Sequence, residues 1–417
     1  MSSTTTATTP TTPANAPKGQ PMFSTRLALP VLDRLQERLR DRMIEAGFDA
    51  ILTDSPEDVA YLTGFFHHPC ERPVAVWLGA DGERVLLVPE LERENAERQH
   101  ARAELVSYPE FPGVVPPFRA LSQRVGSAGR FGPTGRVGFS TSMTWERQAA
   151  AMAEFDGARF EATDLVTVAR FVKLPEEIEL HAEAARITDL MLDSGVALIR
   201  DAIASGGRMP SEAELASHVG GVGVSTMYAE HDDVVVVSPL AGGLVYAGAN
   251  SAYPHGLPSG YRLQPGDTFM LSLGCAVGGR FVEGERTFVL GEPTADQRRY
   301  HDAVREAQAI GGAAIRPGVE CRSVNATCLQ VIQDAGLGQF LRHRQGHGIG
   351  LGMHEPPWLE GGDATLLEPG MIVSNEPGIY IPGHAGYRIS DSMVVTEDGS
   401  RPLTAFPRGL DVCAIEL

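Results

Sequence analysis

The sequence predicts an α+β protein of two domains, on three observations. The chain has 417 residues, more than one typical domain holds and comfortable for two. Through about residue 170, helical and strand periodicities alternate, which is the texture of an α/β domain. Beyond that point, long helical patterns are grouped against β-rich runs, the texture of an α+β domain. Hydrophobic residues make up 43% and charged residues 21%, so both parts can bury cores.

Residues 1–21 are expected to form a disordered tail. Residues 2 to 16 are Ser, Thr, Ala, Pro and Asn only, too polar to offset the entropy of ordering. They also lack the basic start and apolar centre of a signal peptide. The N-terminal α/β domain is expected over residues 22–170. Pro30 suits a first helical turn, and Leu32, Leu35, Leu39 and Met43 recur at helical spacing until Gly47. Ala50-Ile51-Leu52-Thr53 reads as a short buried strand. The runs Val74 to Leu78 and Val85 to Val88 flank Asp81-Gly82, a hairpin signal.

The second domain is expected over residues 171–417. It opens at Lys173-Leu174-Pro175-Glu176-Glu177 with a long helix from Glu176 to about Ile203. Ser211 with Glu214, and Thr294 with Gln297, make capping boxes for two further helices. Another helix runs from about Glu320 to before Gly336. Strands are expected at Val234 to Ser238, Thr268 to Leu273, Arg280 to Leu290, Met371 to Ser374 and Ser392 to Thr396.

Charge and cysteine usage exclude several classes. Lys plus Arg is 35 against 53 for Asp plus Glu, a formal charge of −18, which disfavours nucleic acid as a partner. No stretch approaches the roughly 18 uninterrupted apolar residues of a membrane helix, so no membrane partner is expected. Cys70, Cys275, Cys321, Cys328 and Cys413 are odd in number and form no C-x-x-C pair. A disulfide framework or structural zinc site is not expected, and the cytoplasm is the simplest location.

Polar chemistry concentrates in five segments of the second half. They are Pro254-His255-Gly256-Leu257-Pro258, Gly266-Asp267 through Gly284-Glu285-Arg286-Thr287, Gly346-His347-Gly348-Ile349-Gly350 through His354-Glu355, Ser374-Asn375-Glu376-Pro377-Gly378, and Tyr387-Arg388-Ile389-Ser390-Asp391. His, Glu and Arg beside Gly and Pro at strand ends are where sites are usually built.

In this order and spacing the segments resemble the creatinase/aminopeptidase/prolidase superfamily. The resemblance covers about residues 23 to 415, including Tyr61-Leu62-Thr63-Gly64-Phe65. It implies a C-terminal pita-bread domain preceded by a creatinase-type N-terminal domain. Most members of that superfamily are dinuclear metallopeptidases, their metals held by two Asp, one His and two Glu. Here the first Asp position is Ser272, the second is Glu283, the His is His347, the first Glu is Glu376, and the last Glu position is Ser390. Two divalent ions need bridging carboxylates to hold four positive charges together. Only Glu283 and Glu376 remain as anions of the set.

The expectation is therefore a site with neither metal nor cofactor. In the strand from Arg280 to Leu290, Glu283 and Glu285 face the same side. With Glu376 they would form a carboxylate cluster awaiting a cationic group such as a guanidinium or amidinium. The resemblance is closest to the metal-independent creatinase branch, which carries similar Glu-Arg-Thr, Ser-x-Glu-Pro and Tyr-Arg-x-x-Asp phrases. By that resemblance His255 is the acid/base, Glu285 and Glu376 bind the cationic head, and His354 touches substrate. His347 would orient water or substrate. Arg388 would hold a substrate carboxylate or act as a structural ion-pair partner. Phe66 and Arg72 would reach the active site of the other subunit of a homodimer.

The expected function is metal-independent hydrolysis of a non-peptide C–N bond, in an amidine, guanidine or amide, in a small cationic or zwitterionic molecule. The ectoine-ring hydrolases, another creatinase-like branch of the superfamily that would open a cyclic amidine, are an alternative resemblance. The alternatives are an Xaa-Pro-type metallopeptidase with a reduced metal site on Glu283, His347 and Glu376, and a silent pseudo-peptidase that binds protein segments.

Overall fold

The computed structural model describes residues 23–126, 135–235 and 237–417; the expected tail lies outside them. The first helix, Leu29–Glu45, buries Leu32, Leu35, Leu39 and Met43, the residues at helical spacing. It packs on a six-stranded sheet built from β1 (Ala50–Thr53), β2 (Ala75–Gly79), β3 (Arg84–Pro89), β4 (Glu104–Tyr108), β5 (Arg136–Ser140) and β6 (Arg159–Thr163) among the described residues. The strand order is β4-β3-β2-β1-β5-β6. β2 and β3 form the hairpin around Asp81-Gly82, and β1 pairs parallel with β5.

The second domain opens with the helix Pro175–Ala204, followed by Glu212–Glu230. Both capping boxes are present: Ser211 Oγ accepts from Glu214 N, and Thr294 Oγ1 accepts from Gln297 N. The helices Ala295–Ala314 and Cys321–Asp334 complete the layer. They cover a curved sheet of β7 (Ala241–Ala247), β8 (Thr268–Val277), β9 (Arg280–Leu290), β10 (Gly346–Gly348), β11 (Glu355–Leu359), β12 (Ile372–Asn375), β15 (Ser390–Val395), β16 (Ser400–Pro402) and β17 (Ala414–Ile415). A separate hairpin joins β13 (Gly378–Ile381) to β14 (Ala385–Arg388). The order β11-β10-β12-β15-β9-β8-β7 brings strands distant in sequence side by side. That ordering gathers the polar segments on one face.

One expected strand is absent. The described residues of 234–238 form no strand. Val235 instead enters the N-terminal core with Phe66 and Leu351, and Val237 packs beside it. The apolar run reflects packing between the two halves of the chain, where burial and β-pairing leave the same signature in sequence. A second contact joins the halves: Glu355 accepts Lys173 Nζ at 3.1 Å and pairs with Arg170, which also bonds Asp58 at 2.9 Å. The Arg170 partner holds the Glu355 carboxyl far below its ordinary range, at about 2, against the opposing effect of burial.

Candidate active site

β8 and β9 carry the base of the site. Their register sets Ser272 opposite Glu285 and Gly274 opposite Glu283. On the other side of β9, β15 sets Ser390 opposite Glu285. A row Ser272–Glu285–Ser390 therefore crosses three strands. Glu283 and Glu285 point to the same face, as the strand periodicity requires, and both are buried.

His347 comes from the short strand β10. Gly346 and Gly348 flank it because the chain passes too close to its neighbours for side chains: a Cβ at Gly346 would lie 2.2 Å from the Ser374 carbonyl oxygen, and one at Gly348 2.4 Å from that of Pro356. The His347 backbone N–H donates to Ser374 Oγ at 2.9 Å. Its Nδ1 bonds the Gly348 carbonyl at 3.0 Å, which fixes Nδ1 as the donor. Nε2 is buried and has no hydrogen-bond partner. It lies 3.3 Å from Glu376 Oε1 and 3.6 Å from Glu283 Oε2. The His354 ring is 4.0 Å from that of His347.

Electrostatics follows from this crowding. Burial and the neighbouring Glu376 charge raise the Glu283 carboxyl; the His347 imidazole lowers that of Glu376. The two carboxylates raise His347 despite burial. Burial and the His347 charge lower His354 to about 4.

Glu285 is not free for a ligand. Its Oε1 accepts both Arg388 Nη2 at 2.8 Å and the Ser272 hydroxyl, and the Arg388 Nε pairs with Oε2. Arg388 Nη2 also reaches Ser272 Oγ at 2.9 Å, and Nη1 reaches the Tyr380 hydroxyl at 3.1 Å. The expected guanidinium in the carboxylate cluster is thus supplied by the protein. Glu285 is ion-paired within the protein, and Arg388 makes the ion pair that was one of its two expected roles. Arg286 is structural as well, fully buried and bound to Asp391 at 2.8 Å.

A cavity of about 970 Å³ opens above these groups, large enough for a small peptide. His255 and His354 are on its exposed wall, with Glu283, Glu285, His347, Glu376 and Arg388 at its base. Phe66 and Arg72 do not line it. Phe66 is buried against the Gly279 turn and Leu351 of its own chain. Arg72 pairs with Glu71 and Glu110. The sequence reading missed Arg342, His343, Arg344 and Glu360, which also line the cavity. The phrase Arg342-His343-Arg344-Gln345 directly before Gly346-His347 was the available signal.

The donor set decides how many divalent ions fit. Glu283, His347 and His354 offer ligand atoms within 4.8 Å of one another, and Glu376 borders the same unpartnered Nε2. Carboxylate and imidazole donors of this number suit one Zn²⁺ or Mn²⁺. A pair does not fit. Ser390 Oγ already donates to Glu283 Oε1 at 2.7 Å, and Ser272 is bonded to Glu285 and Arg388. A dication on Ser272 Oγ would crowd the Arg388 guanidinium, whose Nη2 already bonds that oxygen at 2.9 Å.

Comparison with known proteins identifies the family. The metallopeptidase family M24 profile matches residues 179–397, and the creatinase/prolidase N-terminal domain profile matches residues 35–172. The chain is 30% identical to an Xaa-Pro dipeptidase of Lactobacillus delbrueckii subsp. lactis, over 92% of this chain and 99% of that one. Among solved structures, an Xaa-Pro dipeptidase from Bacillus anthracis superposes with a TM-score of 0.79 at 29% identity, covering 92% of this chain and 100% of the other. A dipeptidase from Mycobacterium ulcerans superposes with a TM-score of 0.80 at 27% identity, covering 94% and 100%. These findings overturn the expected hydrolysis of a non-peptide C–N bond, and they lend no support to placement in the metal-independent creatinase branch. The serines at 272 and 390 suggested that branch, but they alter one part of a site whose relatives are peptidases. The chain belongs to metallopeptidase family M24.

Proposed function

We propose that this chain is an Xaa-Pro-type peptidase acting on small peptides through a reduced metal site, with Glu283, His347 and Glu376 as ligands and His354 beside them. The observation that carries this reading is the unpartnered, buried Nε2 of His347, faced by two carboxylates. Those two carboxylates supply the two negative charges that one dication requires. When bound, the ion would polarise the scissile carbonyl and acidify a water.

The remaining steps fall to the chain's own side chains. The Xaa-Pro bond has no N–H, and its nitrogen departs as a secondary amine that needs a proton. His255, on the exposed cavity wall and outside the donor cluster, is placed to deliver that proton. Arg342 binds the substrate carboxylate: its Nη1 bonds only the carbonyls of Gln339 and Leu341, and it pairs with no carboxylate among the described residues. Arg344 is committed to Glu360 at 2.9 Å and to the face of Trp358. A homodimer is the expected assembly, and analytical ultracentrifugation reads it. The reading is tested by following proline release from Ala-Pro and Gly-Pro in chelated enzyme and after Zn²⁺ or Mn²⁺ is restored. Release that follows the added metal supports it.

A further inference from the structure

The Ser272–Glu285–Ser390 row distributes charge in an unexpected way. Its central residue is the anion and its flanks are neutral. Directly opposed positions on neighbouring strands lie about 4.5–5.5 Å apart, where like charges repel. Carboxylates at 272 and 390 would therefore oppose Glu285 on both sides. The serines and the glutamate make a consistent set: the hydroxyl of Ser272 donates to Glu285, that of Ser390 to Glu283, and Glu285 holds Arg388.

We infer that the Glu285–Arg388 ion pair is a built-in substitute for one cation of a paired metal centre, so that each chain binds one divalent ion and excludes a second. The inference rests on the metallopeptidase reading for the existence of the first ion. The second is excluded for two reasons. The oxygens it would need are already hydrogen-bonded, and drawing Glu285 away would leave a buried guanidinium, only 5% exposed, without its counter-ion. Arg388 cannot turn aside freely, because Tyr380 holds its other nitrogen at 3.1 Å.

The experiment is Mn²⁺ titration of the full-length, chelator-stripped protein by calorimetry, with elemental analysis of the complex. The expected stoichiometry is one Mn²⁺ per chain, lost in His347→Ala. Returning the charge to the flanks in the triple variant S272D/E285S/S390E is expected to raise it to two. Because that variant can misfold, the electron paramagnetic resonance spectrum of the Mn²⁺-loaded wild type gives an independent reading. An isolated-ion six-line spectrum supports the inference, and an exchange-coupled spectrum overturns it. Two ions per wild-type chain, none at all, or a folded triple variant that still binds one also overturn it. One bound Mn²⁺ without proline release would sink the Xaa-Pro reading and leave this inference standing.

Discussion

Ser272 and Glu285 are direct cross-strand partners, and the hydroxyl of the first donates to the carboxylate of the second. The same carboxylate holds Arg388, so the centre of the site is neutralised internally while Glu283 and Glu376 remain available around His347.

Breaking the Glu285–Arg388 pair is expected to destabilise the fold. Removing one partner of a buried ion pair leaves the other uncompensated and costs about 3–5 kcal/mol. Arg388→Gln and Glu285→Gln should each lower the midpoint of urea unfolding. The double variant should lose less than the sum of the two, because it strands no charge.

His255→Ala is expected to lower kcat for Ala-Pro by roughly 10²–10⁴-fold, the usual range for a proton-transfer group. Metal stoichiometry should not change, since His255 is outside the donor cluster. Parallel assays of turnover and bound metal separate this role from a structural one.

Arg342→Ala is expected to raise KM for Xaa-Pro dipeptides by about tenfold or more, the scale of one charge-assisted hydrogen bond. Amidated dipeptides should be insensitive to the change. Steady-state kinetics on the two substrate sets checks it.

Stability is expected to fall on acidification through buried histidines outside the donor cluster. His301 has neither ring nitrogen bonded, and burial pushes it down to about 4; burial likewise pushes His181 to about 3. Both folded values lie below the ordinary 6.5, so the unfolded chain takes up protons first. Their contribution is complete above about pH 6.5 and is lost as pH falls towards 4, by up to about 1.4 kcal/mol per pH unit for each group. Urea unfolding at several pH values should show this slope, reduced in His301→Phe.

Much of the fold was legible in sequence because its signals are local. The Pro30 helix, the Asp81-Gly82 hairpin and both capping boxes are fixed within a few residues. The alternation along β9 by itself sets Glu283 and Glu285 on one face. What the sequence could not show is pairing across strands. Arg388 meets Glu285 only because β15 and β14 return beside β9, so a cluster that looked unneutralised had its cation 103 residues away. The packing of Phe66 against Gly279 and Leu351 is likewise a long-range contact that sequence alone does not show. Arg342 was overlooked because an exposed loop arginine has no distinguishing pattern until a cavity forms around it.

The most direct test of the account combines activity with metal loading. Chelated enzyme should release no proline from Ala-Pro, and activity should rise with added Mn²⁺ and level off at one ion per chain. Proline release that is unaffected by chelation, or that keeps rising to two bound ions per chain, would contradict it.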